Sequence, residues 1–158
     1  MQTLTKSAVV LAVLLLSSIT AVAKPASSPF ANLAGGWSGG GSASFEGGRN
    51  ERLRCTANYR PGGNTLSMTI RCANRSLNLQ LNGNLRYSGG RVTGSWSESS
   101  TGTGGSAVGR ASANGLSLRI GGDIAGSLSV SISGASQSVN ISASGSAFRR
   151  ASFSMRRR

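Results

Sequence analysis

From Leu33 to the C-terminus, apolar residues recur at every second position and never at helical spacing, with Ser, Thr, Asn and Arg between them. Strict alternation turns one set of side chains to a dry face and the other to water, which is the pattern of half-buried antiparallel strands. A chain patterned this way must hide one face of its sheet. The predicted fold class is all-β.

One hairpin carries the strongest register information. With Gly63-Asn64 as a two-residue turn, a pairing favoured in primed turns, Gly62 stands opposite Thr65 and the pair types alternate outward. Pro61 then falls at a non-hydrogen-bonded position, where its missing N–H costs this ladder nothing. Cys55 falls opposite Cys72, again at a non-hydrogen-bonded position, with Cα atoms about 4.5 Å apart, the short edge of what a disulfide accepts. Cys55, Ala57, Tyr59, Met68, Ile70 and Cys72 share one side, and Arg54, Thr56, Asn58, Ser67, Thr69 and Arg71 the other. A slip of one residue would destroy both the bridge and the sidedness. These are the only cysteines, so one connectivity is open. Closing the loop should stabilise the domain by about 3 kcal/mol through the unfolded chain.

The same counting extends the meander. Asn74-Arg75 as the next turn sets Cys72, Ile70 and Met68 against Leu77, Leu79 and Leu81. Gly89-Gly90 sets Tyr87 against Val92, Leu85 against Gly94 and Gly83 against Trp96. Asn114-Gly115, the strongest short turn signal in the chain, sets Ala111 against Leu118 and Gly109 against Ile120. Further apolar rows run through Ile124, Leu128, Val130 and Ile132, then Val139, Ile141 and Ala143, then Ala151, Phe153 and Met155, with an opening strand through Trp37, Ala43 and Phe45. A single antiparallel up-and-down meander of this kind covers its apolar face and loses its edges by closing into a barrel of about eight to ten strands. A two-sheet sandwich is the alternative; it covers the core but leaves edges open.

The N-terminus reads as an export signal. Lys6 precedes the apolar run Ala8 to Leu16, and Ala21-Val22-Ala23 is a small-x-small cleavage site. The run is too short to span a bilayer as a helix, and no other segment reads as a transmembrane helix once it is cleaved. The expected division is a signal peptide over 1–23, an extended leader over 24–34 containing two prolines, and a β-barrel domain over 35–158. The expected location is periplasmic or secreted, an oxidising setting that suits a disulfide.

Removing Lys6 lowers the formal charge from +13 to +12, nearly all of it from 15 arginines, opposed by Glu46, Glu51, Glu98 and Asp123 alone. Arginine suits bidentate grip on phosphate or carboxylate. The candidates for anion binding are Arg52, Arg54, Arg71 and Arg75 along the disulfide hairpin and Arg149, Arg150, Arg156, Arg157 and Arg158 at the C-terminus. Their expected partner is an anionic envelope glycolipid or polysaccharide; a protein partner stays open, and nucleic acid is not expected. A solvated face that keeps the protein soluble is the competing reading.

Gly35-Gly36-Trp37 resembles the G-x-W opening of the calycins, the lipocalin and avidin barrels, and Gly94-Ser95-Trp96-Ser97-Glu98 echoes it. The chain is also similar to small secreted proteins of alphaproteobacteria that share a Trp-containing start, a paired-cysteine hairpin and a G-x-W-S-E strand. The calycin resemblance implies a barrel with tryptophan closing an end, which makes Trp37 and Trp96 the barrel-end candidates; it implies no ligand. No helix follows the strands as in lipocalins.

Catalysis is not expected. The chain has no histidine, which removes the usual proton shuttle and the commonest metal ligand, and paired cysteines offer no thiolate. No metal site or cofactor is predicted. Glu98, on the same side as Trp96, would point inward and need a partner, with Arg86 or Arg110 in reach of that role. Gly102-Thr103-Gly104-Gly105-Ser106 lacks the Gly-Lys-Ser/Thr and the strand-to-helix setting of a phosphate loop. The expected function is a non-enzymatic exported binding protein engaging an anionic envelope component through its arginines. The alternatives are a structural or stress-related envelope protein with no small-molecule ligand, and an outer-membrane barrel, which the absence of aromatic girdles disfavours.

Overall fold

A computed structural model describes residues 27–158; the predicted signal peptide and the start of the predicted leader lie outside them. Ten strands follow one another: β1 (Gly35–Phe45), β2 (Asn50–Gly62), β3 (Thr65–Ala73), β4 (Asn78–Ser88), β5 (Arg91–Glu98), β6 (Thr103–Ser112), β7 (Gly115–Gly122), β8 (Ala125–Ser133), β9 (Ser136–Ser144) and β10 (Phe148–Arg157). Each pairs antiparallel with the next, and β10 returns to β1, so the sheet is a closed barrel. Closure leaves no unpaired edge, which is why this meander forms a barrel and not the alternative sandwich.

The sidedness read from the sequence holds. Leu53, Cys55, Ala57 and Tyr59 of β2 are buried while Arg52, Arg54, Thr56, Asn58 and Arg60 are exposed. Cys55 pairs with Cys72 in the deduced register, and their sulfurs are bonded with Cα atoms 4.1 Å apart. Gly63 has φ 63° and Asn64 is not left-handed, which is the signature of a type II′ turn. The β4–β5 hairpin also has the expected register, with Tyr87 opposite Val92 and Gly83 opposite Trp96.

Two registers differ from expectation, each by two residues. Cys72 stands opposite Leu79, Ile70 opposite Leu81 and Met68 opposite Gly83, because the β3–β4 connection spans Asn74 to Leu77 instead of two residues. The Asn74 side chain organises it: its Oδ1 accepts from the N–H groups of Ser76 (2.9 Å) and Leu77 (2.8 Å), and its Nδ2 donates to Glu51 Oε2 (2.9 Å) and to Arg52 O (3.1 Å). In the β6–β7 hairpin the turn is Ala113-Asn114, with Ala111 opposite Leu116 and Gly109 opposite Leu118. Gly115 is not a turn residue. It opens β7 where a Cβ would lie 2.3 Å from Val130 O, so glycine serves close strand approach there. A shift of two keeps every side chain on its face, and the core is unchanged.

The predicted leader is not extended throughout. Ala31–Leu33 is a 3-10 turn, and Phe30 and Leu33 are buried beside Trp37. This segment plugs the end of the barrel that carries the β2–β3, β4–β5, β6–β7 and β8–β9 turns. The outer face of the described strands is mainly Ser, Thr, Asn, Gly and Arg, which does not suit hydrocarbon.

Candidate functional site

The barrel is packed at one end and hollow at the other. At the plugged end Trp37 is fully buried, and its Nε1 donates to Leu33 O at 2.9 Å. The Arg157 guanidinium lies 4.4 Å from the centre of the Trp37 ring, donates to Asn32 O at 2.7 Å and also bonds Ala34 O. Arg157 thus fastens the plug to β10 and is no free anion-binding group, contrary to expectation. Tyr59 and Gln137 are buried in the same region, with the Tyr59 hydroxyl and Gln137 Oε1 lacking a well-formed hydrogen bond. Burial pushes the Tyr59 phenol well up, and the nearby Gln137 side chain pulls weakly the other way.

Toward the opposite end the interior opens into a cavity of about 340 Å³. Its wall is aliphatic and aromatic, from Met68, Leu85, Leu118 and Phe153 at depth to Leu77, Ile124, Phe45 and Phe148 near the mouth. Alternation delivers most of this wall from inward register positions of the strands, while Leu77 and Ile124 reach it from the loops before β4 and β8. Trp96 lies in the cavity wall with its Nε1 bonded to Gly121 O at 3.0 Å. It does not close a barrel end, a second correction: only Trp37 has that role. The space left by Gly83 opposite Trp96 is filled by Met68, whose Cε would stand 2.8 Å from a Cβ on Gly83.

Glu98 reaches the cavity mouth but no arginine pairs with it, contrary to the predicted Arg86 or Arg110. Its oxygens accept from the Ser100 and Thr101 hydroxyls, both at 2.6 Å, and from the N–H groups of Ser100 (3.0 Å), Thr101 (2.9 Å) and Gln80 (3.1 Å). Burial acts to raise its pKa, but the Ser100, Thr101 and Gln80 hydrogen bonds together prevail and hold it at about 2. This carboxylate ties the β5–β6 loop to β4; its lone pairs are committed.

The arginine candidates converge further than the sequence showed. Gly40 and Ser42 of β1 stand opposite Arg54 and Arg52 of β2, while Ser44 and Ser38 stand opposite Arg150 and Arg156 of β10. A lane of small residues on the outside of β1 therefore runs between two arginine-bearing strands far apart in sequence. Arg54 and Arg71 are diagonal neighbours on the same face, and Arg71 Nε donates to Gln80 at 2.7 Å. Arg75 lies exposed in the β3–β4 loop, and Arg158 ends the chain, its N–H bonded to Gly36 O. Arg149 pairs with Glu46 at 2.8 Å, so its charge is answered locally. Sequence reasoning gave no cavity role to Arg49, which lies at the cavity mouth with its guanidinium 4.5 Å from the Phe45 ring centre. Its place in a loop, outside any alternating run, gave no signal.

No family model matches the chain, and no curated protein sequence does. Among solved structures the fold is similar to the crystal structure of Rv2717c from M. tuberculosis, with a TM-score of 0.63 at 17% identity, covering 82% of this chain and 94% of that one. That likeness is one of fold: a ten-stranded antiparallel barrel.

Proposed function

We propose that this chain is a non-enzymatic, exported binding protein of calycin type that holds an apolar molecule in its interior and meets an anionic envelope component with its arginine-bearing outer wall. The observation that carries the reading is the cavity, apolar in lining, plugged at one end and open at the other. Ligand pockets of this kind are typically concave, mostly apolar and preformed. Of the charged groups at the mouth, Glu98 is engaged in its own loop and the Arg49 guanidinium lies against Phe45, which supports binding over chemistry. The lane between Arg52, Arg54, Arg150 and Arg156 supports the surface half, since its guanidiniums lie on one wall and face solvent. The leader sequence and the disulfide support export, and the similarity to small secreted alphaproteobacterial proteins agrees with a periplasmic or secreted setting.

The test is titration with an uncharged fluorescent apolar probe, N-phenyl-1-naphthylamine, and with a straight-chain fatty alcohol by calorimetry. Saturable binding of one molecule is expected, and Ile141→Trp, which fills the cavity from β9, should weaken it at least about tenfold, the cost of excluding a ligand from an apolar pocket. Absence of saturable binding by the folded wild-type protein would overturn the interior reading. Sedimentation with phosphatidylglycerol vesicles, but not with phosphatidylcholine vesicles, tests the surface half.

A further inference from the structure

A second set of arginines, outside the anion-binding candidates named from the sequence, gathers on the opposite wall. Arg86 of β4, Arg91 of β5, Arg110 of β6 and Arg119 of β7 all face outward and are exposed. The register places them side by side. Val92 pairs with Gly109, so one step further Arg91 stands directly opposite Arg110. Thr93 pairs with both Arg86 and Val108, and Val108 pairs in turn with Arg119.

The Arg91–Arg110 juxtaposition is close. Arg91 lies opposite Ser88 across the two-residue Gly89-Gly90 turn, a hydrogen-bonded pair, so its N–H and C=O point to β4 and away from β6. Its pairing with Arg110 is therefore of the non-hydrogen-bonded type, in which Cα atoms approach to about 4.5 Å and side chains are nearest. Like charges directly opposite each other destabilise a sheet. Nothing answers them: the ion pairs among the described residues are Arg49–Glu51 and Arg149–Glu46, both at the cavity end. Arg91, Arg110 and Arg119 instead line an open groove of about 660 Å³ with Val108, Ser117 and Ser127. Val108 is the one branched aliphatic residue on the outer face of the described strands, and the side-chain-free Gly89-Gly90 turn leaves the groove's rim open.

We propose that this groove is a phosphate-binding site: the Arg91 and Arg110 forks grip the oxygens of one phosphate, Arg119 completes the charge, and Val108 and Ser117 form the floor. Arginine forks match phosphate geometry bidentately, and an anion between Arg91 and Arg110 converts their repulsion into attraction. The ligand class is a phosphate monoester or diester, either soluble or borne on a lipid head group. The site deepens the surface half of the proposed function and rests on it, but its residues are distinct from the β2 and β10 arginines named there.

The experiment compares the wild type with the double variant R91Q/R110Q and with R60Q, whose exposed arginine belongs to neither proposed site, each checked for an unchanged circular dichroism spectrum. Glycerol 3-phosphate and inorganic phosphate are titrated calorimetrically, thermal unfolding is followed in phosphate and in chloride of equal ionic strength, and sedimentation uses phosphatidylglycerol vesicles. The expected result is saturable phosphate binding and a phosphate-specific rise in Tm in the wild type and in R60Q. R91Q/R110Q should bind phosphate about tenfold more weakly or worse, show no phosphate-specific rise, and melt higher than wild type in chloride because the repulsion is gone. Conservative R91K/R110K keeps the charge without the fork and should recover only part of the affinity. Equal phosphate responses in wild type and R91Q/R110Q would overturn the site. If vesicle binding then persists, the surface reading survives without this groove; if the wild type binds neither phosphate nor vesicles, both fall. Binding of soluble phosphates with no vesicle association assigns the site to a free phosphate ester, and competition between the two assigns it to a head group.

Discussion

Arg157 and Glu98 are charged residues whose main partners are backbone groups and hydroxyls. Arg157 stacks on Trp37 and donates to two carbonyls of the plug, so R157A should remove a cation–π contact and two charge-assisted hydrogen bonds. A loss of about 2 kcal/mol is expected, read by urea denaturation, together with a shift in tryptophan fluorescence. R157K should restore little, since an ammonium cannot span both carbonyls in one plane. For Glu98 the folded-state pKa is depressed to about 2 from an ordinary 4.5. Its stabilising contribution is therefore complete above the ordinary value and is lost as pH falls through the folded one. E98Q should be less stable than wild type near neutrality, and the gap should close between about pH 4.5 and pH 2; a gap independent of pH in denaturation curves would contradict this. Neither role was legible in sequence. An arginine's spacing does not reveal which carbonyls a plug will present, and the hydroxyls that satisfy Glu98 come from its own loop, where alternation says nothing.

At the scale of elements, legibility followed the turn chemistry. The β2–β3 and β4–β5 hairpins were readable because Gly63, Gly89 and Gly90 take positive φ, the conformation that glycine supplies cheaply and that defines primed turns. The β3–β4 and β6–β7 connections were misread because Asn74 bends its loop through side-chain hydrogen bonds, and because Asn114 turns without left-handed backbone. Both errors were even, so the predicted core survived them. The closing seam between β1 and β10 was invisible as a pairing, though its glycines were in plain view. Gly39 and Gly41 approach β10 so closely that a Cβ would stand 2.0 Å from Ser154 O and 1.9 Å from Ser152 O. Backbone cannot yield as a flexible side chain can, so G39A should cost about 3 kcal/mol, the upper range of overpacking, and should lower Tm sharply. G83A meets only the flexible end of Met68 and should cost clearly less. Replacing Cys55 and Cys72 by serine should cost about 3 kcal/mol while leaving the far-ultraviolet spectrum that of a barrel, since the register of that hairpin is also set by its turn and sidedness.

For the whole molecule, charge and polarity are arranged along the barrel axis. Arg60, Arg86, Arg91, Arg110, Arg156, Arg157 and Arg158 lie in the plugged half with no acidic side chain among the described residues, whereas Glu46, Glu51, Glu98 and Asp123 all lie at the cavity end. The sequence supplied the excess of arginine, but only the strand register reveals which end it favours. Likewise, alternation predicted a dry interior without saying whether side chains would fill it; the many small residues left it hollow near the mouth. These separations predict two independent salt responses. Contacts between exposed charges are screened once the Debye length falls to about 10 Å at 0.1 M salt, and more beyond it. Sedimentation with anionic vesicles should therefore decline steeply between 0.01 M and 0.5 M salt, as expected of exposed charges. Binding of an uncharged apolar probe in the cavity draws on burial of apolar surface, so its affinity should change by less than about twofold over the same range, and slightly upward if at all. The variant I141W should reverse the pattern, with vesicle association intact and probe binding lost. Joint loss of both activities in I141W, with the fold preserved, would mean that one surface serves both, and the division between an apolar interior and a basic exterior would be wrong.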